Sequence, residues 1–332
     1  MIRILAEDKT VYVLGAGFSK DAGFPLSRDF TSDDAFDYLR KKLDEKPKLV
    51  SKIDKIHDYV RYRIDNNYCK DNIESLLIHV STAEYLYMES ITEGKKTYSA
   101  EDIFKNLLWY ITRFLKEKTI ETINTLPSEY YIFLNKICKK EDTIITFNYD
   151  LVLEKVLTSL GHQYRYGVDE KFSNDERLIL KLHGSLNWVN CDKCGPVNRH
   201  DKILTYESDS KETCPLCQSK KIEPILIPPI IYKDSYYNDQ FYGELVRESW
   251  ALASEELSKA TKIIFIGFSL ADDDAYAQEL FKLSLNMNQN ENLDCLVVNR
   301  TCTNELKKRY ESVFVNKKHM FKELTLVDYV RN

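Results

Sequence analysis

Glycine is scarce in this chain: there are ten among 332 residues, where ordinary usage of about 7% would give roughly 23. Glycine is retained where the backbone needs positive φ or close approach to another group, so the few positions that keep it point towards a site. Long apolar runs are also missing. None approaches the roughly 18 residues of a membrane span, and the apolar patch in the opening MIRILAEDKTV is too short for a signal peptide. Nor is there an excess of positive charge: 47 basic against 52 acidic side chains give a net charge of -5. That argues against a general polyphosphate-binding surface and leaves room only for a local basic groove. No repeat or low-complexity segment interrupts the chain. What remains, at 43% hydrophobic and 30% charged, is the composition of a soluble globular protein with one large or two modest domains. A cytoplasmic location is expected, with the eight cysteines reduced unless a metal holds them.

Apolar, β-rich segments recur at 10–14 (TVYVL), 142–146 (DTIIT), 178–182 (LILKL), 263–266 and 293–298. Each ends in glycine or polar residues: Gly15-Ala16-Gly17, Asn148, His183-Gly184, Gly267-Phe268-Ser269 and Asn299-Arg300. In an open parallel sheet, ligands sit at the carboxyl ends of the strands, so these ends converge on one site. Helices are expected from Tyr149 and from about Asp272. Between about 29 and 140 the chain holds one glycine and is dense in Leu, Ile, Tyr, Lys and Glu with helical spacing, which predicts four or five helices. The fold expected is α/β: a Rossmann-like, doubly wound parallel sheet with a large helical insertion and a small zinc-binding module. The boundaries are 1–28, 141–187 and 223–332 for the Rossmann-like domain, 29–140 for the insertion and 188–222 for the module.

Cys191-x-x-Cys194 and Cys214-x-x-Cys217 are separated by nineteen residues. This is a four-thiolate zinc pattern. Four thiolates fill a tetrahedral shell and leave no position for water, so the zinc is expected to be structural, with His200 a bystander. The span 191–221 holds six Lys or Arg and five Asp or Glu, too balanced for a nucleic-acid-gripping ribbon. Direct nucleic-acid binding is not expected.

The polar residues at the strand ends each have a plain structural alternative. Asn148 could cap a helix, Asp150 could be first-turn helix charge, and a strand-end histidine is often only hydrogen-bonded. Asp272-Asp273-Asp274 reads as a helix start and its cap. Gly15-Ala16-Gly17 departs from the dehydrogenase pattern G-x-G-x-x-G, since Lys20 stands at the third glycine position.

The longer string Gly15-Ala16-Gly17-x-Ser19-x-x-x-Gly23-x-Pro25-x-x-Arg28 resembles the opening motif of the sirtuin family. Thr146-x-Asn148-x-Asp150, His183-Gly184, the four cysteines, Gly267-x-Ser269-Leu270 and Val298-Asn299 follow in that family's order. The resemblance implies binding of NAD and cleavage of its nicotinamide–ribose bond. It places Gly15, Ala16, Gly17, Phe18 and Ser19 along the pyrophosphate and ribose, with Arg28 anchoring the loop. Asn148 would hold the ribose or the attacking water, Asp150 would meet the nicotinamide carboxamide, and His183 would act as base. Gly267 and Ser269 would lie under the phosphates and adenosine ribose, and Asn299 near the adenosine.

The chain departs from that family where the acylated lysine would bind. Phe147 and Tyr149 replace Gln and Ile of T-Q-N-I-D. Pro224-Ile225-Leu226-Ile227-Pro228-Pro229 stands where F-G-E-x-L-P is expected, and Leu270 is followed by Ala-Asp-Asp-Asp. The NAD half is kept and the peptide half is not. This pattern resembles the bacterial sirtuin-like effectors of antiphage defence, which implies an NAD glycohydrolase acting in abortive infection. Such an enzyme is expected to be gated by homo-oligomeric assembly or by a defence partner subunit (helicase-like, Argonaute-like or nucleotide-processing). The Tyr- and Leu-rich insertion is the candidate assembly surface. The alternatives are an NAD-dependent protein deacylase and a non-catalytic NAD or ADP-ribose sensor.

Overall fold

The structure, a computed structural model, describes residues 9–86, 90–93, 96–167, 175–197, 200, 202–206, 212–228 and 242–332. Residues 1–8, Gly94 and Pro229 lie outside these. In chain order the elements begin with β1 (Thr10–Leu14), α1 (Ala16–Lys20), α2 (Asp33–Lys42), α3 (Pro47–Asp65) and α4 (Ile73–Tyr85). They continue with β2 (Ser90–Glu93), β3 (Lys96–Ser99), α5 (Ala100–Thr122), α6 (Ser128–Ile132), β4 (Thr143–Thr146) and α7 (Val152–Ser159). Next come β5 (Tyr164–Tyr166), β6 (Arg177–Lys181), β7 (Gly184–Cys191), β8 (Gly195–Val197) and β9 (Ile222–Leu226). The chain closes with α8 (Tyr242–Lys259), β10 (Lys262–Ile266), α9 (Ala275–Met287), β11 (Asp294–Asn299), α10 (Asn304–Val313), β12 (Lys318–Glu323) and α11 (Leu326–Arg331).

Two compact units emerge. The first comprises Met1–Gly23, Ile123–Gly184 and Gly243–Asn332. It carries a seven-stranded sheet in the order β12-β11-β10-β1-β4-β6-β5, and every neighbouring pair runs parallel. Parallel strands are covered on both faces, so they read as continuous apolar runs. Val11 to Leu14, Ile144 and Ile145, and Ile263 to Ile266 are all buried. The chain winds from β1 towards β4 and β6, then returns on the other side through β10, β11 and β12, so the order reverses between β1 and β10. The doubly wound Rossmann-like sheet expected from the sequence is therefore present. Its strand edges differ by a residue here and there. Two helices start later than expected, at Val152 and Ala275, because the polar residues before them are used in turns.

The second unit comprises Phe24–Thr122 and Ser185–Tyr242. α5 anchors its helices: Ile103, Leu107, Tyr110 and Phe114 lie at helical spacing and are buried. Tyr110 stacks on Phe36 at 4.6 Å, and its hydroxyl donates to the Phe30 carbonyl at 2.7 Å. The β2–β3 hairpin and the three-stranded sheet β8-β7-β9 were not expected from the sequence. Among the described residues, no helix is long and apolar enough to cross a membrane.

Candidate active site

The parallel registers set four strand ends level. Leu14 pairs with Ile266 and Thr146, and Thr146 pairs with Lys181. Gly15–Gly17, Asn148, His183 and Gly267–Ser269 therefore leave the sheet along one edge, the carboxyl edge, at and beside the point where the strand order reverses.

At that point two glycine turns press against each other. The Gly15 amide donates to the Ile266 carbonyl at 3.1 Å, the Gly17 amide to the Gly267 carbonyl at 2.8 Å, and the Gly267 amide to the Val298 carbonyl at 2.9 Å. A Cβ on Gly15 would stand 2.5 Å from Phe268 Cα, and one on Gly17 2.7 Å from Gly267 Cα. Gly267 also has φ +61°, and a Cβ there would stand 2.2 Å from the Phe18 amide nitrogen. These three glycines thus serve backbone-to-backbone packing between the loops after β1 and β10, a reason independent of any ligand. Gly267→Ala is expected to cost about 2–4 kcal/mol, combining left-handed strain with overlap. Gly161→Ala is the control, because Gly161 has φ +72° with open space at its Cβ; strain alone there costs about 1 kcal/mol. Equal denaturant midpoints for the two variants would show that the loops do not press on each other.

The loop after β10 is held from behind. Phe268 O accepts from Asn299 Nδ2 at 3.1 Å and from Tyr310 OH at 2.8 Å, and Ser269 O accepts from Arg309 Nε at 3.2 Å. Asn299, expected near the adenosine, thus has its amide committed to this loop. Ser269 and Ala16 are exposed, and Gly17 is half-buried. Phe18 turns its ring inward onto Tyr130 at 5.2 Å, so that side chain serves the core. Leu270 is buried with φ +48°, a left-handed conformation that is costly for leucine and is often found at functional turns. Arg28 belongs to the second unit, on the turn Ser27–Thr31, with its guanidinium exposed.

Asn148 follows β4. Its Nδ2 donates to Gly15 O at 2.8 Å and to Ser19 Oγ at 3.1 Å. With both amide hydrogens used, the acceptor Oδ1 has no partner among the described residues. Asn148 is therefore not a helix cap. Asp150 is buried, and its Oδ1 accepts from the Val152 amide at 3.1 Å. Burial pushes its carboxyl up, while Lys181 and a hydrogen bond from Ser19 pull it back. Beneath it, the fully buried Lys181 donates to Asp150 O at 2.6 Å and to Glu154 Oε1 at 2.9 Å, and Tyr166 OH also donates to Glu154 Oε1 at 2.9 Å. The sequence signal for this buried pair was a lysine inside the otherwise apolar run LILKL.

His183 is buried at the end of β6. Phe147 meets its ring edge-on at 5.1 Å and stacks on Phe268 at 4.5 Å. The glutamine-to-phenylalanine departure thus fills an apolar wall around the imidazole. Trp250 of α8 also faces the ring, held by a 3.0 Å bond from its Nε1 to Leu182 O. His183 Nε2 lies 3.0 Å from Asp274 Oδ2. Asp274 does cap α9, as expected of the three-aspartate run, but its pairing with His183 was missed. Nothing in the sequence spacing announces it, because it depends on where α9 packs.

In the second unit the Sγ atoms of Cys191, Cys194, Cys214 and Cys217 all lie within 4.8 Å of one another. Cys191 and Cys217 are 3.6 Å apart, and Cys194 and Cys214 3.9 Å. A tetrahedral zinc with bonds of about 2.3 Å needs sulfurs about 3.8 Å apart, so the four thiolates fit that ion. His200 is occupied elsewhere: Nδ1 accepts from the Lys202 amide at 3.0 Å, and Nε2 donates to Thr213 O at 3.2 Å.

Residues 142–315 match the SIR2-like domain family. That stretch contains Asn148, Asp150, His183, the four cysteines, Gly267, Ser269, Asp274 and Asn299, but not the loop after β1. No curated protein matches the chain. Among solved structures, it is similar to Sir2Tm bound to a propionylated peptide, with 18% identity, a TM-score of 0.46 and coverage of 97% of this chain and 90% of that one. It is similar to Sir2 with a p53 peptide and NAD+ at the same identity, TM-score and coverage. Because the matched stretch is more than half of the chain, this protein belongs to the SIR2-like domain family.

Proposed function

We propose that the protein is an NAD+ glycohydrolase: NAD+ and water give nicotinamide, ADP-ribose and a proton. The observation that carries this reading is the level edge at which Asn148 and His183 leave adjacent parallel strands, in a SIR2-like chain. The bond between C1′ of the ribose and the nicotinamide nitrogen breaks with its electron pair moving onto the ring, which becomes neutral. The leaving group therefore needs no acid. What the reaction needs is stabilisation of an oxocarbenium-like centre and a base for the incoming water or a ribose hydroxyl. The acceptor Oδ1 of Asn148, without a partner among the described residues, is suited to hold that water or hydroxyl. His183 is suited to take the proton, since imidazole titrates near neutral pH. Exposed Ser269 and the backbone of Ala16 and Gly17 are suited to the phosphates and ribose.

Water as nucleophile makes an acyl-lysine channel unnecessary. That agrees with Phe147 in the wall and with the sequence 224–229, which lacks the sirtuin Phe-Gly-Glu. The test is protein with NAD alone, with nicotinamide and ADP-ribose followed by chromatography. Release without any acylated peptide is expected. Strict dependence on an acyl-lysine peptide would overturn the reading in favour of a deacylase, and binding without turnover in favour of a sensor. An NAD-consuming enzyme must be silent until needed, so we also read it as a defence effector gated by assembly or a partner. Loss of cellular NAD only on phage challenge is the expected result.

A further inference from the structure

Asp274 uses its carboxylate twice. Oδ1 accepts from the Ala277 amide at 3.3 Å and caps α9, while Oδ2 lies 3.0 Å from His183 Nε2. Capping needs one acceptor on a short side chain, and serine or asparagine would serve as well. It does not explain a second oxygen directed at a buried imidazole. Both side chains are less than a tenth exposed (7% and 8%), and away from water such a contact is strengthened.

We propose that Asp274 is a positioning residue for NAD hydrolysis, holding His183 in the tautomer with its proton on Nε2, so that Nδ1 is the atom that receives the proton from water or a ribose hydroxyl. This rests on the hydrolase reading above. A carboxylate only accepts, so the nitrogen facing it carries the hydrogen, and the neutral ring then has its lone pair on Nδ1. When Nδ1 takes up a proton, the ring becomes an imidazolium, and the fixed negative charge of Asp274 stabilises it without itself being protonated.

The groups around the ring support this assignment. Phe147 and Tyr149 come from the segment after β4, and Trp250 from α8. Of these only Tyr149 titrates. Among the described residues, three charges on the neighbouring segments have partners of their own: Asp272 faces Arg309 at 3.8 Å, Asp150 takes bonds from Ser19 and Val152, and Lys181 pairs with Glu154. The left-handed Leu270 makes the turn that leads into Asp274.

The experiment uses Asp274→Asn and Asp274→Ser. Both keep an acceptor for the Ala277 amide, so both should fold. In Asp274→Asn the oxygen caps the helix and the amide N–H faces Nε2, which reverses the tautomer. In Asp274→Ser the contact is lost. With NAD, kcat is expected to fall about 100-fold or more in Asp274→Asn and about 10-fold in Asp274→Ser, with KM within about threefold. Removing the negative charge makes imidazolium less favourable, so the acid limb of the kcat/KM profile should move down by about one pH unit or more in Asp274→Ser. A purely structural role would leave that limb in place. If the wild type hydrolyses NAD and both variants keep its rate and acid limb, the proposal is overturned. A wild type that releases no nicotinamide instead removes the hydrolase reading. The pairing is then decided without substrate by nitrogen NMR of His183: Nε2–H in the wild type and Nδ1–H in Asp274→Asn support it, and the same tautomer in both overturns it.

Discussion

His183→Ala is expected to lower nicotinamide release by roughly 100- to 10,000-fold, the usual worth of a positioned acid or base, while NAD still binds. The reason is local. Phe147 and Trp250 wall the imidazole, so ordered solvent cannot readily replace it as a base. The variant should also melt somewhat lower, because the buried Asp274 Oδ2 loses its contact with His183 at a cost of about 1–3 kcal/mol. The cap on α9 survives through Oδ1, which keeps that cost short of unfolding. Chromatography of NAD products beside equilibrium NAD binding separates the two effects. Turnover equal to wild type would remove His183 from the mechanism.

Removal of the metal is expected to act on stability rather than on chemistry. Structural zinc contributes about 10–16 kcal/mol of apparent binding energy in small zinc-finger peptides. Melting falls by roughly 2–4 °C for each kcal/mol lost in a domain of 150–250 residues. Stripping zinc, or replacing the exposed Cys194 with serine, should therefore lower melting by about 10 °C or more. Turnover should fall only as far as the folded fraction does. A lower rate with unchanged melting would contradict a structural role, as would protein purified without zinc.

The parallel strands of the first unit were readable because burial on both faces leaves unbroken apolar runs such as Val11-Tyr12-Val13-Leu14. The two edge strands were not: β5 is only the three residues YRY, two of them half-buried, and β12 is KHMFKE, almost all exposed, so no apolar run marks either. The strands of the small sheet mix polar and apolar residues, as in GSLNWVNC, where the alternation of Ser185 to Trp188 breaks off at Val189. At the candidate site, motif order singled out Asn148 and His183. It left open what each side chain touches. The Asn148 amide bonds, the Lys181–Glu154 pair and Asp274 at the imidazole all arise from packing between segments far apart in the chain. The glycines carry a similar lesson: their scarcity was read as the mark of a ligand site, but at Gly15, Gly17 and Gly267 the immediate demand comes from neighbouring backbone.

The place of β1 in the middle of the sheet bears on how the chain is made. It is synthesised before both of its neighbours, and the first of them, β4, follows more than a hundred residues later. The other, β10, is later still: the Lys9 amide bonds Thr261 Oγ1 across 252 residues. Contacts so distant in sequence form late and slowly. A nascent chain that has passed β4 but not reached Lys262 presents an apolar strand with one open edge, the kind of surface that pairs with other chains. Growing chains should therefore be held by chaperones until β10 emerges, and fragments ending before residue 262 should aggregate even though most of the second unit has already been made.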